Sequence, residues 1–166
     1  MKVPIVPQAI LFDLINGGDK DWGKFSPYRD LGYQAVENAG SEVKQGSTGA
    51  GTGALVAGLK GGLGTASIRL ENGITVAALF AVNSLGSPLI GNTHRFHAAL
   101  FEQNKEFGGS ALPASFPQDA SSIKVKFRET ATGVSNTTIG IVATDAKLTK
   151  AQAKRLAISA HDGIAR

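Results

Sequence analysis

The stretch Ala66-Ser67-Ile68-Arg69-Leu70-Glu71-Asn72-Gly73-Ile74-Thr75-Val76-Ala77-Ala78-Leu79-Phe80-Ala81-Val82 decides the fold class. Two runs of strand-forming residues flank an Asn-Gly dipeptide, the strongest short-range signal for a β-hairpin. The runs 66–70 and 75–82 are therefore expected to pair antiparallel. Ile123 to Phe127 and Ile139 to Thr144 read as further strands, and Ala9-Ile10-Leu11-Phe12-Asp13-Leu14 reads as a buried strand ended by the turn Asn16-Gly17-Gly18-Asp19. Helices alternate with these strands. Ser26 is a plausible N-cap with Pro27 at the first helical position, Leu31, Ala35 and Ala39 share a face, and Gly40 stops the helix. Near the end, Thr149 with Gln152 makes a capping box ahead of a helix in which Ala153, Leu156, Ala157, Ala160 and Ile164 recur at helical spacing. The pattern is α/β. Gly46 to Gly64 reads as loop, residues 87–121 read as an excursion broken by three prolines, and no internal repeat is apparent.

Composition narrows the function classes. With 166 residues, 42% hydrophobic and 18% charged, the chain is long enough to bury one core and is not disordered. It has no cysteine, so neither a disulfide nor a thiolate nucleophile is available. No secretory leader and no membrane-length apolar run is visible, which makes the cytoplasm the default expectation and a membrane association unexpected. The net charge of +4 is spread thinly. Lys124, Lys126 and Arg128 alternate as one face of a strand would, without interleaved aromatics, so nucleic acid is not expected as a partner.

Chemistry concentrates at Asn136-Thr137-Thr138, which opens the apolar run Ile139-Gly140-Ile141-Val142-Ala143. Two readings stand. The tripeptide is an ordinary polar lead-in to a strand, or it is a cleavage site that creates an N-terminal nucleophile. In the second reading the Thr137 hydroxyl attacks the Asn136 carbonyl, the acyl group moves from nitrogen to oxygen, and water releases the ester. The freed α-amino group, whose ordinary pKa is roughly 7.7–8.0, then serves as the general base for the hydroxyl beside it. Other residues carry double readings too. Lys60 is a solvated lysine or a cation beside the glycine-rich loop, Asn83 is a turn former or a hydrogen-bond donor, and Thr138 assists Thr137 or satisfies a strand end. Gly49-Ala50-Gly51-Thr52-Gly53-Ala54 fits a loose dinucleotide fingerprint, but it follows a polar segment rather than a strand; Gly49, Gly51 and Gly53 are better read as permitting close approach of chain and substrate. His94 and His97 are three apart without a third ligand, so no metal and no cofactor is expected. His161 reads as a helix-surface residue or C-terminal dipole partner. Trp22 and Tyr28 line a pocket or anchor a loop.

An ordered set of motifs gives these residues a family context. Val3-Pro4-Ile5-Val6-Pro7 with Ile10-Leu11-Phe12-Asp13, Gly46-Ser47-Thr48-Gly49-Ala50-Gly51-Thr52-Gly53, Leu59-Lys60-Gly61-Gly62-Leu63-Gly64, Ala81-Val82-Asn83-Ser84-Leu85-Gly86 and Asn136-Thr137-Thr138-Ile139 through Ala146 occur in one order along nearly the whole chain. This set resembles the N-terminal-nucleophile family that contains D-aminopeptidases, β-peptidyl aminopeptidases and nylon-oligomer (6-aminohexanoate-oligomer) hydrolases. Threonine at the cleavage position is similar to the nylon-oligomer branch. The resemblance implies a four-layer αββα sandwich, a homotetramer, and one hydrolase domain over 1–166 cut into an α part (1–136) and a β part (137–166). It also implies roles: Thr137 as nucleophile, Asn83 as oxyanion donor, Lys60 as the cation that keeps the α-amino group neutral, and Phe12 and the glycine loop beside the substrate, a small peptide or amide. Phe12 stands where the nylon-oligomer hydrolases carry tyrosine. Relatives also extend beyond both ends, into a glycine-rich N-terminal portion and an acidic C-terminal segment. An uncleaved, inactive subunit used for binding or assembly, and an acyltransferase of the ornithine acetyltransferase kind, are the competing functions.

Overall fold

The computed structural model describes residues 3, 5–126 and 136–165. Its centre is a three-stranded antiparallel sheet in the order β3-β4-β5, formed by Gly62–Arg69, Thr75–Asn83 and Thr137–Thr144. The hairpin expected from Asn72-Gly73 forms β3 and β4, with Arg69 opposite Thr75 and Gly62 opposite Val82. Five residues, 70–74, connect the strands; Leu70 N–H donates to the Ile74 carbonyl at 2.8 Å, and Gly73 alone of the five takes the left-handed conformation, at φ 84°. Strand β5 then runs antiparallel along the other edge of β4, from Val76 opposite Thr144 to Asn83 opposite Thr137.

A second, two-stranded sheet pairs β1 (Leu55–Val56) with β2 (Leu59–Lys60) around Gly58, which turns at φ 81°. The region Gly46–Gly64, expected to be loop, is thus largely built structure: a 3-10 turn over Gly49–Gly51, this small hairpin, and the first residues of β3. Helix α1 spans Tyr28–Glu37, with Pro27 rather than Ser26 at its N-cap, and ends at Asn38 rather than Gly40. Its apolar face meets no core, since none of its residues is buried.

Two expected strands do not form. Ala9–Leu14 is irregular and partly exposed; strand-forming residues make a strand only where a neighbouring edge accepts their backbone, and here Asn16 N–H closes a turn onto the Asp13 carbonyl instead. Ile123–Lys126 is irregular and pairs with no strand among the described residues, and Phe127, with the approach segment Thr130–Ser135, lies outside the described residues. Residues 87–121 hold little regular structure beyond the 3-10 turn His97–Phe101, as expected of an excursion.

Helix α2 (Lys150–Ile164) begins as the sequence predicts. Thr149 Oγ1 accepts from the Gln152 backbone N–H at 3.3 Å while Gln152 Oε1 accepts from the Thr149 backbone N–H at 2.8 Å. The helix lies over one face of the sheet and leaves a cavity of about 600 Å³ between them, lined by Val76, Phe80, Val82, Thr138, Leu156 and Ile164 among others. Because side chains alternate across a strand, Thr138 and Val142 face α2, whereas Thr137, Ile139 and Ile141 face the other way with Asn83, Ala81 and Leu79. That second face is apolar and open at its Ile141 end, where Ile141 is 64% exposed. At its other end Ala81 and Asn83 are buried, together with Ala54, Val56 and Ala57, where β1 meets the end of β4; Ile90 is buried as well.

Candidate active site

Asn83 is the buried polar residue at this junction, with 0% of its surface exposed. Its surroundings follow from the two sheets. The last residue of β4 projects toward β1, where the backbone N–H of Leu55 donates to Asn83 Oδ1 at 3.0 Å. On the other side Asn83 Nδ2 donates to the Phe12 carbonyl at 2.9 Å. An amide N–H can only donate and a carbonyl only accept, so these two backbone partners determine which end of the Asn83 amide is oxygen and which nitrogen.

The Lys126 ammonium completes the arrangement. Its Nζ donates at 2.8 Å to Asn83 Oδ1 and at 2.8 Å to the Asn83 backbone carbonyl. Burial lowers the Lys126 pKa below the ordinary lysine value of 10.5. Two residues earlier, Lys124 Nζ donates to the Gly91 carbonyl and, at 2.8 Å, to Asn92 Oδ1. The segment is not a paired strand, and the heads of both lysines reach back to residues 83–92 instead of facing solvent. Nothing in the sequence reading marked Lys126 as part of a site. The available signal was a buried Asn at a strand end, whose backbone and side-chain oxygens need donors from outside the strand.

Thr137 opens β5 directly opposite Asn83 on the same face of the sheet. Asn136, at the bond that the cleavage reading breaks, has its side-chain Oδ1 buried with no hydrogen-bond partner among the described residues, a cost of about 1–3 kcal/mol for a buried acceptor so placed. Thr138 points to the opposite side, into the cavity beneath α2.

The glycine loop approaches this centre through backbone. Gly51 is buried, and a Cβ there would come within 2.7 Å of the Gly46 carbonyl oxygen and the Gly62 Cα. A Cβ on Gly53 would strike the Asp13 carboxylate, and the Gly53 carbonyl accepts from Asn16 Nδ2 at 2.7 Å. Gly49 starts the 3-10 turn at φ 50°. The segment around Phe12 is thereby tied to the loop through Gly53 and to Asn83 through the Phe12 carbonyl, a contact that does not depend on the missing tyrosine hydroxyl. Lys60 is exposed on β2, in register with Leu55. Asn83, Leu55, Phe12, Lys126 and Thr137 come together; Lys60 borders them, and Thr138 faces away.

The remaining candidates lie elsewhere. His97 begins the 3-10 turn after Phe96, and among the described residues no group of three or more His, Cys, Asp or Glu is placed to hold a metal ion. His161 sits in the last turn of α2 with Nδ1 3.0 Å from the Ile158 carbonyl oxygen. Trp22 and Tyr28 pack edge to face at 5.4 Å, each the other's anchor. Among the described residues no helix is long and apolar enough to cross a membrane.

Comparison with known proteins agrees with the order of motifs. The family model for peptidase family S58 matches residues 1–166, and the chain belongs to that family. An uncharacterized aminopeptidase of Mycobacterium tuberculosis (strain H37Rv) is 42% identical over 164 residues, which is 99% of this chain and 46% of the relative. An uncharacterized aminopeptidase of Mycobacterium leprae is 41% identical over 169 residues, 99% of this chain and 44% of the relative. The chain spans about half the length of the curated relatives it matches.

Proposed function

We propose that this chain is a peptide or amide hydrolase that cuts itself between Asn136 and Thr137 and then uses Thr137 as an N-terminal nucleophile. The observation that carries the proposal is the register of β4 and β5, which sets Thr137 opposite the buried Asn83. Family membership and the aminopeptidase names of the relatives support the same class of reaction. The Asn136 side chain is consistent with a strained bond there: among the described residues its buried Oδ1 has no donor, a state that costs free energy in the intact chain.

In the mechanism, Thr137 Oγ1 adds to the Asn136 carbonyl carbon, the peptide nitrogen leaves as the Thr137 α-amine, and water hydrolyses the resulting ester. The freed amine then takes the hydroxyl proton as Oγ1 attacks a substrate amide. The substrate amine departs with that proton, and water resolves the acyl-enzyme. Asn83 Nδ2 donates to the oxyanion, Lys60 supplies positive charge that keeps the α-amine neutral, and Gly49, Gly51 and Gly53 keep the approach free of side chains beside Phe12. Thr138 packs under α2. Within the class, the threonine favours 6-aminohexanoate oligomers and short aminoacyl amides. The sheet, apolar on both faces with α2 over one of them, fits an inner layer of an αββα sandwich in a homotetramer.

Intact mass and N-terminal sequencing of the purified protein test the reading. Two fragments, the smaller beginning at Thr137, are expected. A chain that stays whole after prolonged incubation eliminates this route and leaves the uncleaved binding or assembly subunit.

A further inference from the structure

We propose that Lys126 is a positioning residue for the hydrolase chemistry, holding and polarising the Asn83 side chain so that its amide nitrogen is presented as a hydrogen-bond donor; the inference rests on the role of Asn83 proposed above. The geometry is a clamp on one residue. Lys126 Nζ reaches the backbone oxygen and the side-chain oxygen of Asn83, both at 2.8 Å, which ties the side-chain torsions of Asn83 to its own backbone. Leu55 N–H takes the same Oδ1 at 3.0 Å. With two donors on Oδ1, a flipped amide would set its –NH2 against an N–H and an ammonium, so the flip is closed off. The nitrogen is left on the side of the Phe12 carbonyl.

Charge adds to the orientation. An ammonium on an amide oxygen withdraws electron density toward that oxygen and makes the amide N–H groups stronger donors, an effect that a half-buried site does not screen as water would. The burial that lowers the Lys126 pKa is the counterpart of this: the cation is held away from solvent, facing two neutral oxygens. Lys60, exposed on β2, is not in a position to act on the Asn83 oxygens in this way.

The test compares the parent chain with Lys126→Met, Lys126→Arg and Lys60→Met, measuring the rate of self-cutting by intact mass and kcat and KM on an aminoacyl p-nitroanilide. In a Thr137→Ala background, NMR follows hydrogen exchange of the Asn83 side-chain amide. Lys126→Met is expected to lower kcat by roughly 10- to 100-fold, part of what loss of an oxyanion donor produces, with KM little changed. Lys126→Arg should recover part of the loss, and exchange of the Asn83 amide should quicken in Lys126→Met. Parental kcat in Lys126→Met, a loss confined to KM, or unaltered Asn83 exchange each overturns the proposal. A parent that neither cuts itself nor turns over substrate defeats the hydrolase reading; the exchange measurement, which needs no activity, still decides whether Lys126 governs Asn83. Should Lys126→Met fail to fold, Lys126→Gln, which keeps a donating –NH2 without charge, is read in the same assays with the same criteria.

Discussion

Asn83 and Thr137 face each other at the last register position of β4 and β5, one buried completely and the other half-exposed at the start of its strand. A single ladder thereby sets the distance between the proposed nucleophile and the proposed oxyanion donor, so a substitution at either position acts on chemistry and on folding together.

Replacing Asn83 by Ala should lower kcat by roughly 10²–10³ with KM little altered, because the donor acts on charge that develops only in the transition state. It also strips partners from Leu55 N–H and the Phe12 carbonyl, at a cost of about 1–3 kcal/mol for each group left buried and unpaired. Denaturant unfolding in the Thr137→Ala background separates the two effects. A variant as active as the parent would remove Asn83 from the mechanism.

Stability should respond to pH through Lys126. Burial lowers its folded-state pKa, so below that value folding carries the cost of a desolvated cation. As pH rises through the lowered value toward the ordinary 10.5, the folded chain releases its proton before the unfolded chain does, and stability rises. Melting of the Thr137→Ala protein against Thr137→Ala/Lys126→Met should show the difference moving in favour of the lysine-bearing chain over this interval. A difference that stays flat, or moves the other way, contradicts the burial.

Two glycines only three residues apart should behave oppositely. A Cβ on Gly61 would strike the Val82 carbonyl oxygen, backbone that cannot swing aside, so Gly61→Ala should destabilise by about 1–3 kcal/mol or more. Gly64 has open space at the same position and an ordinary φ, and Gly64→Ala should be neutral or stabilise by about 0.4–1 kcal/mol. Equal melting temperatures for the two variants would show that Gly61 is not packed against the Val82 carbonyl as described.

Thr149→Ala removes the N-terminal cap of α2 and should cost about 0.5–2 kcal/mol, with no change in self-cutting beyond what lower stability causes. Far-UV circular dichroism on heating provides the readout. Loss of self-cutting in a folded Thr149→Ala protein would tie α2 to the chemistry on the far side of the sheet.

Features written in local chemistry were legible in the sequence. The Asn72-Gly73 hairpin and the Thr149–Gln152 capping box need only neighbours along the chain, and both form. Features that need a distant partner were not. Ala9–Leu14 has the composition of a strand but no paired edge among the described residues, and its backbone oxygen at Phe12 serves Asn83 instead. Ile123–Lys126 alternates like a strand, yet its lysines bond back to residues 83–92 in place of a ladder. For the same reason the motif residues Asn83, Phe12 and Thr137 could be picked out one by one, whereas Lys126, whose part depends on an oxygen 43 positions away, could not. Composition also understated Gly46–Gly64: Gly51, Gly61 and Gly62 mark close packing of backbone against backbone, not slack.

The eight register pairs between β4 and β5 bear on what a nick at Asn136-Thr137 would leave behind. The break falls at the very end of the ladder, just before its first rung Thr137, so the severed piece, beginning at Thr137 and carrying α2, would remain zipped to the rest as a non-covalent heterodimer. Its new terminus could not drift off, because the first residue of the liberated piece is itself a rung opposite Asn83. Maturation of this kind would make two polypeptides out of one without dismantling anything, and the pieces would travel together through native chromatography and part only in denaturant.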